Sequence, residues 1–155
     1  MAAKRMTQEY LIQLFLDKGL LSEAQVARIK ESYKIQRKKL MRKLRRERSD
    51  GQGRHEDITA VDVLASYGLP IAGREEKILT EDLIMKVAAE DMGLPFRKID
   101  PLDLDLDVVT KTLPRSFALK HLVVPIQIVN NTLEVAIYDP FDHAVLEDVK
   151  RVSEY

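Results

Sequence analysis

The sequence predicts an α+β protein: a helical N-terminal subdomain, a long basic helix serving as connector, and a small three-stranded sheet packed with helices. Three observations predict it. Apolar residues recur at three- and four-residue spacing, with capping residues in front of them, from Thr7 to Leu44 and again from Ile58 to Gly93. Past Leu94 the pattern changes to short contiguous apolar runs separated by turn residues. Charge is also segregated, since residues 30–54 hold eleven basic side chains against three acidic ones in a chain whose formal net charge is zero.

In chain order, Thr7 is placed to cap a first helix running to about Asp17, and Gly19 supplies the left-handed residue that commonly ends one. Ser22 with Gln25 three residues on forms a capping box for a second helix. The apolar residues of that helix, Val26, Ile29, Tyr33, Leu40 and Leu44, make one narrow seam. After Tyr33 the seam thins while basic residues crowd in, so the helix is expected to outlast its packing surface and project.

Ser49–Gly53 is a polar break, which divides the chain into 1–48, a linker at 49–57, and 58–155. Ile58, Val61, Leu64 and Ala65 keep helical spacing until Gly68 and Pro70, residues 71–77 read as a polar loop, and Thr80 caps a helix that Gly93 ends. "PFRKID" reads as a short strand, and "LDLDVVTKTL" and "PRSFALKHL" as two short helices. "LVVPIQIV" and "TLEVAIY" flank Asn130-Asn131, a pair that tolerates the positive φ of a two-residue hairpin turn. Asp142 caps a last helix carrying Val145, Leu146, Val149 and Val152.

Composition bounds the function. At 155 residues, 45% of them hydrophobic, the chain can build a genuine core. It has no cysteine, which removes thiolate metal sites and cysteine nucleophiles and favours a reducing cytoplasm. No apolar run approaches the ~20 residues that span a bilayer.

Spacing limits the candidate sites. In "DPLDLDLD", Asp103, Asp105 and Asp107 match the first calcium-loop positions, but Val108 and Pro114 stand where Gly and Glu would be needed. Asp100-Pro101-Leu102-Asp103 is echoed by Asp139-Pro140-Phe141-Asp142, so a strand-to-helix junction is the expected role, with one of Asp103, Asp105 or Asp107 capping and Leu102, Leu104 and Leu106 available for packing. His55, His121 and His143 lack metal-binding spacing, and no phosphate-binding loop or nucleophile elbow occurs. No catalytic, metal-binding or cofactor-binding residue is therefore assigned.

Two surfaces carry partner-binding readings. Ile12, Leu16 and Leu20 lie off the main apolar face of the first helix, available either to its own subdomain or to a partner. The basic run, with Lys38, Lys39, Arg42, Arg45 and Arg46 at its centre, fits a solvated helix, a docking surface for an acidic protein or anionic membrane, or a nucleic-acid contact. It contains no aromatic residue to stack on bases, so nucleic acid is not the expected partner.

The stretch from "ILTEDLIMKVAAEDMGLPF" to "YDPFDHAVLEDVKR" resembles the N-terminal domain of type II secretion ATPases and type IV pilus assembly ATPases. The landmarks are a helix ending in Gly-Leu-Pro-Phe, a Leu-Pro-x-x-x-Ala helix from Leu113 to Ala118, a Val-Val-Pro-Ile strand, and a hairpin returning to Asp-Pro-Phe-Asp. The resemblance implies a bacterial, non-catalytic adaptor that attaches the motor to the cytoplasmic domain of an inner-membrane platform protein, placing it in the cytoplasm at the membrane periphery. It also implies contact with the protein's own C-terminal ATPase domain, to which ATP and magnesium would belong. Some members bind cyclic di-GMP through Arg-Leu-Gly placed nine, eight and seven residues before a helix-ending glycine. Here those positions hold Tyr10, Leu11 and Ile12 before Gly19, and Thr59, Ala60 and Val61 before Gly68. Both arginines and both glycines are missing, so cyclic di-GMP is not expected.

Overall fold

The computed structural model describes residues 6–47 and 58–155. The linker expected at 49–57 lies outside them. The chain divides into two compact units, Thr7–Phe96 and a second that joins Met6 to Arg97–Tyr155. The described residues on either side of the expected linker thus share the first unit.

In the first unit, helix α1 (Gln8–Asp17) begins at Thr7, whose hydroxyl accepts a hydrogen bond from the Tyr10 amide at 3.2 Å. Helix α2 (Glu23–Glu47) opens with the expected capping box: the Gln25 amide donates to Ser22 Oγ at 3.2 Å, and the Ser22 amide donates to Gln25 Oε1 at 2.8 Å. Helix α3 (Ala60–Ser66) has a second box, in which Thr59 Oγ1 accepts from the Asp62 amide while Asp62 Oδ2 accepts from the Thr59 amide. Helix α4 (Glu81–Met92) is capped by Thr80 and closed by Gly93 at φ +70°, a left-handed conformation that costs a glycine little. Leu11, Phe15, Val63, Leu64, Leu79, Ile84 and Ala88 have no exposed surface and form the core of this unit.

Between α3 and α4 the sequence predicts a polar loop, and here the structure differs. Pro70–Ile71 (β1) and Arg74–Ile78 (β2) form an antiparallel hairpin around Ala72-Gly73, with Gly73 at φ +78°. Every residue of β2 is exposed, so the strand leaves no hydrophobic alternation to read. Hydrogen bonds hold the hairpin in place: Ala72 N donates to Leu20 O at 2.9 Å, and Gln25 Nε2 donates to Pro70 O at 2.8 Å.

In the second unit a 3₁₀ turn (Pro101–Asp103) leads to α5 (Leu106–Thr112) and α6 (Arg115–His121), then β3 (Val123–Val129), β4 (Thr132–Ile137) and α7 (His143–Ser153). β3 and β4 pair antiparallel, with Val129 opposite Thr132 around Asn130 (φ 49°) and Asn131 (φ 60°), as the two-residue turn requires. The register shifts between Pro125 and Gln127, beside a proline that has no amide to contribute to the ladder. Leu113, Val123, Val145 and Val149 form the core, flanked by Phe117, Leu133, Val135 and Ile137.

The α+β class stands, but the three-stranded sheet is replaced by two separate two-stranded hairpins. "PFRKID" is not a strand. Its only large apolar residues, Phe96 and Ile99, are three apart and would point to opposite faces of a strand, and Pro95 has no donor.

Candidate functional site

The α1 surface is narrower than the sequence suggests. Ile12 is 3% exposed and belongs to the core, so it is withdrawn as a docking residue, whereas Leu16 and Leu20 are half-buried. A helix that is apolar on more than one side is covered on more than one side. The Leu20 carbonyl also accepts the Ala72 amide, which fixes the turn after α1 against the first hairpin. What remains outward on α1 is a polar strip, with Gln13 and Asp17 hydrogen-bonded to each other at 2.8 Å.

The basic surface is built by α2. At roughly 100° per residue, Leu40 and Leu44 continue the stripe of Val26, Ile29 and Tyr33, and the cations spread over the opposite side through an arc of about 180°. The only buried residues of the helix are Val26 and Ile29. Ser32 Oγ meets Tyr67 Oη at 2.9 Å, and Gln36 Nε2 donates to Ser66 Oγ at 3.0 Å, the last side-chain bonds that join α2 to α3. Beyond them Lys38, Lys39, Arg42, Arg45 and Arg46 are all exposed, and Lys39, Arg42, Lys43 and Arg46 line one shallow surface with Glu47. Among the described residues none of these cations is in an ion pair, in contrast to Lys111 with Asp107, Lys150 with Glu147 and Arg151 with Asp148. Ile35, on the same arc, is 59% exposed.

The aspartate-rich stretch resolves into caps. Asp100 Oδ1 accepts from the Leu102 amide at 2.9 Å, and Asp105 Oδ1 accepts from the Asp107 and Val108 amides at 3.0 and 3.4 Å, so Asp105 is the capping member of the three candidates. Asp139 and Asp142 do the same work at the second junction, accepting from Phe141 and Val145. The expected packing role is corrected for Leu102 and Leu106, which are 91% and 73% exposed, whereas Leu104 is half-buried. Among the described residues no three His, Asp or Glu side chains gather as metal ligands, and His55 lies outside them. His121 packs against the Phe117 ring instead, with ring centroids 4.6 Å apart and the planes tilted by 49°.

The second-messenger positions are occupied by structural roles. Tyr10 Oη donates to Asp91 Oδ2 at 2.5 Å, Leu11 and Val61 are buried with Ile12, and Thr59 is a cap. Burial and the Asp91 carboxylate push the Tyr10 hydroxyl well above the ordinary phenol range.

One carboxyl contact escapes a sequence-only reading. Glu81, at the start of α4, hydrogen-bonds Asp62 of α3, and that bond, burial and the negative charges of Asp62 and Asp82 push its carboxyl up to about 7. The two residues lie on different helices, and nothing in local spacing marks them as neighbours. Asp62 is already committed to the α3 cap, so the pair reads as part of the helix junction.

The family model of the MshEN domain matches residues 92–155. Among solved structures, one described as "Structure of MshE with cdg" aligns over 92% of this chain and 81% of its own, with a TM-score of 0.52 and 21% sequence identity, a likeness of fold. No curated protein matches. The resemblance drawn from the sequence is upheld: residues 92–155 are similar to the non-catalytic MshEN module found in secretion and pilus ATPases.

Proposed function

We propose that this chain is a non-catalytic adaptor of a type II secretion or type IV pilus ATPase, docking the motor to the cytoplasmic domain of an inner-membrane platform protein. The observation that carries the reading is the MshEN match over residues 92–155, joined to a fold likeness that extends over 92% of the chain. The half-buried Leu16 on α1 and Leu20 in the turn after it supply the partner contact, with Ile12 fixing the helix beneath them. Such an adaptor needs no reacting group, only folded units and an exposed side-chain surface. Localisation at the inner-membrane periphery follows from that partner; no helix among the described residues is long and apolar enough to cross a membrane.

The test is biolayer interferometry with the immobilised cytoplasmic domain of the platform protein. Binding is expected, and Leu16→Asp with Leu20→Asp is expected to weaken it at least about tenfold, since a charge in a packed contact goes unpaired. Circular dichroism of the variant separates lost contact from lost fold. Absence of binding by the unaltered chain would overturn the reading.

A second reading is cyclic di-GMP binding, favoured by the MshE structure with cdg. It competes with the roles of Tyr10, Leu11, Thr59 and Val61 described above, so a nucleotide would have to be held through other contacts. Isothermal calorimetry with cyclic di-GMP decides: a saturable heat establishes it, and none leaves the adaptor role alone.

A further inference from the structure

We infer that the exposed basic face of α2, from Lys34 to Arg46, is a membrane-contact surface that takes anionic phospholipid headgroups. This goes beyond the docking reading, because it requires no platform protein and uses a different face.

Three features carry the inference. The first is the surplus of charge. Lys38, Lys39, Arg42, Lys43, Arg45 and Arg46 are exposed, and among the described residues none is in an ion pair, although the chain as a whole is neutral. Like charges at i, i+3 and i+4 repel one another, so the helix bears this density at some cost and an apposed anionic surface would relieve it. The second is Ile35, 59% exposed within the same arc. At a bilayer interface this isoleucine would reach the acyl boundary while the lysine and arginine stems extend to the headgroups. The third is orientation. The apolar seam of α2 lies on the side opposite the cations and is half-buried, so the helix would lie flat and be held mainly by charge.

A nucleic acid offers the same phosphate chemistry but fits less well. From Lys34 to Glu47 there is no aromatic side chain to stack on a base, and Gln36, the one amide able to read a base edge, is bonded to Ser66. Ile35 would gain nothing there.

The experiment is co-sedimentation of the full chain with phosphatidylcholine vesicles with and without phosphatidylglycerol, at low salt and at about 0.15 M salt, with mixed-sequence duplex DNA as a parallel titration. Binding is expected only to the phosphatidylglycerol vesicles and should fall steeply with salt. K39E/R42E/K43E/R46E should reduce it about a hundredfold or more, at unchanged helicity and unchanged affinity for the platform domain. I35S should weaken vesicle binding several-fold while leaving any binding to DNA unaltered. No sedimentation at low salt, equal binding to uncharged vesicles, or tighter binding to DNA than to vesicles at equal phosphate would each overturn the proposal.

Discussion

Helix α2 contains two regions with opposite physics on one continuous backbone. From Glu23 to about Tyr33 it starts in a capping box, buries Val26 and Ile29, and is tied to its neighbours by Gln25 and Ser32. From Lys34 to Glu47 it buries nothing, is tied to α3 only near its start through Gln36 and Ser66, and carries the exposed cations. The difference shows how stability and surface chemistry can be divided along a helix: the packed half provides the free energy, and the free half inherits helical order by propagation once the costly first turns are nucleated. Lys, Arg, Leu and Met are good helix formers, so the extension needs little tertiary support.

The strongest way to break this division is to attack the packed half. Ile29→Ala removes a side chain that is 1% exposed and should cost about 2–5 kcal/mol, read as a lower denaturation midpoint with unchanged slope. Ser22→Ala, which deletes one arm of the capping box, should cost about 0.5–2 kcal/mol in the same assay. A smaller effect sharpens the baseline. The folded chain holds the Glu81 proton more tightly than the unfolded chain, whose carboxyl titrates near 4.5, so this contribution to stability is complete below about 4.5 and is lost as pH rises through about 7. Glu81→Gln should flatten that part of the stability–pH curve, and urea titrations on both sides of the window would show it.

The legible parts of the fold were those set by neighbours in sequence. Thr7, Ser22 with Gln25, Thr80 and Asp142 announce helix starts, Gly93 a helix end, and Asn130-Asn131 a hairpin, because each acts within four residues of itself. The hidden parts depend on distant ones. β1 and β2 are invisible because Arg74–Lys77 carry no apolar alternation and the hairpin is fixed from Leu20 and Gln25. The burial of Ile12 is hidden because periodicity shows that a residue is apolar without showing how many sides of its helix are covered. The Asp62–Glu81 pair needed the α3–α4 arrangement. The basic arm was legible as composition, but the exposure of Ile35 and, among the described residues, the absence of ion pairs along it depend on the fold.

The Met6 amide donates to Asp139 Oδ2 at 3.4 Å, across 133 positions of sequence. Met6 therefore shares a compact unit with Arg97–Tyr155, and in topological terms Thr7–Phe96 is an insertion within a discontinuous domain. On a ribosome the inserted unit, complete by Phe96, can fold while its host is still being made. The host closes last, once the residues around Asp139 have emerged, because contacts of long sequence separation form late.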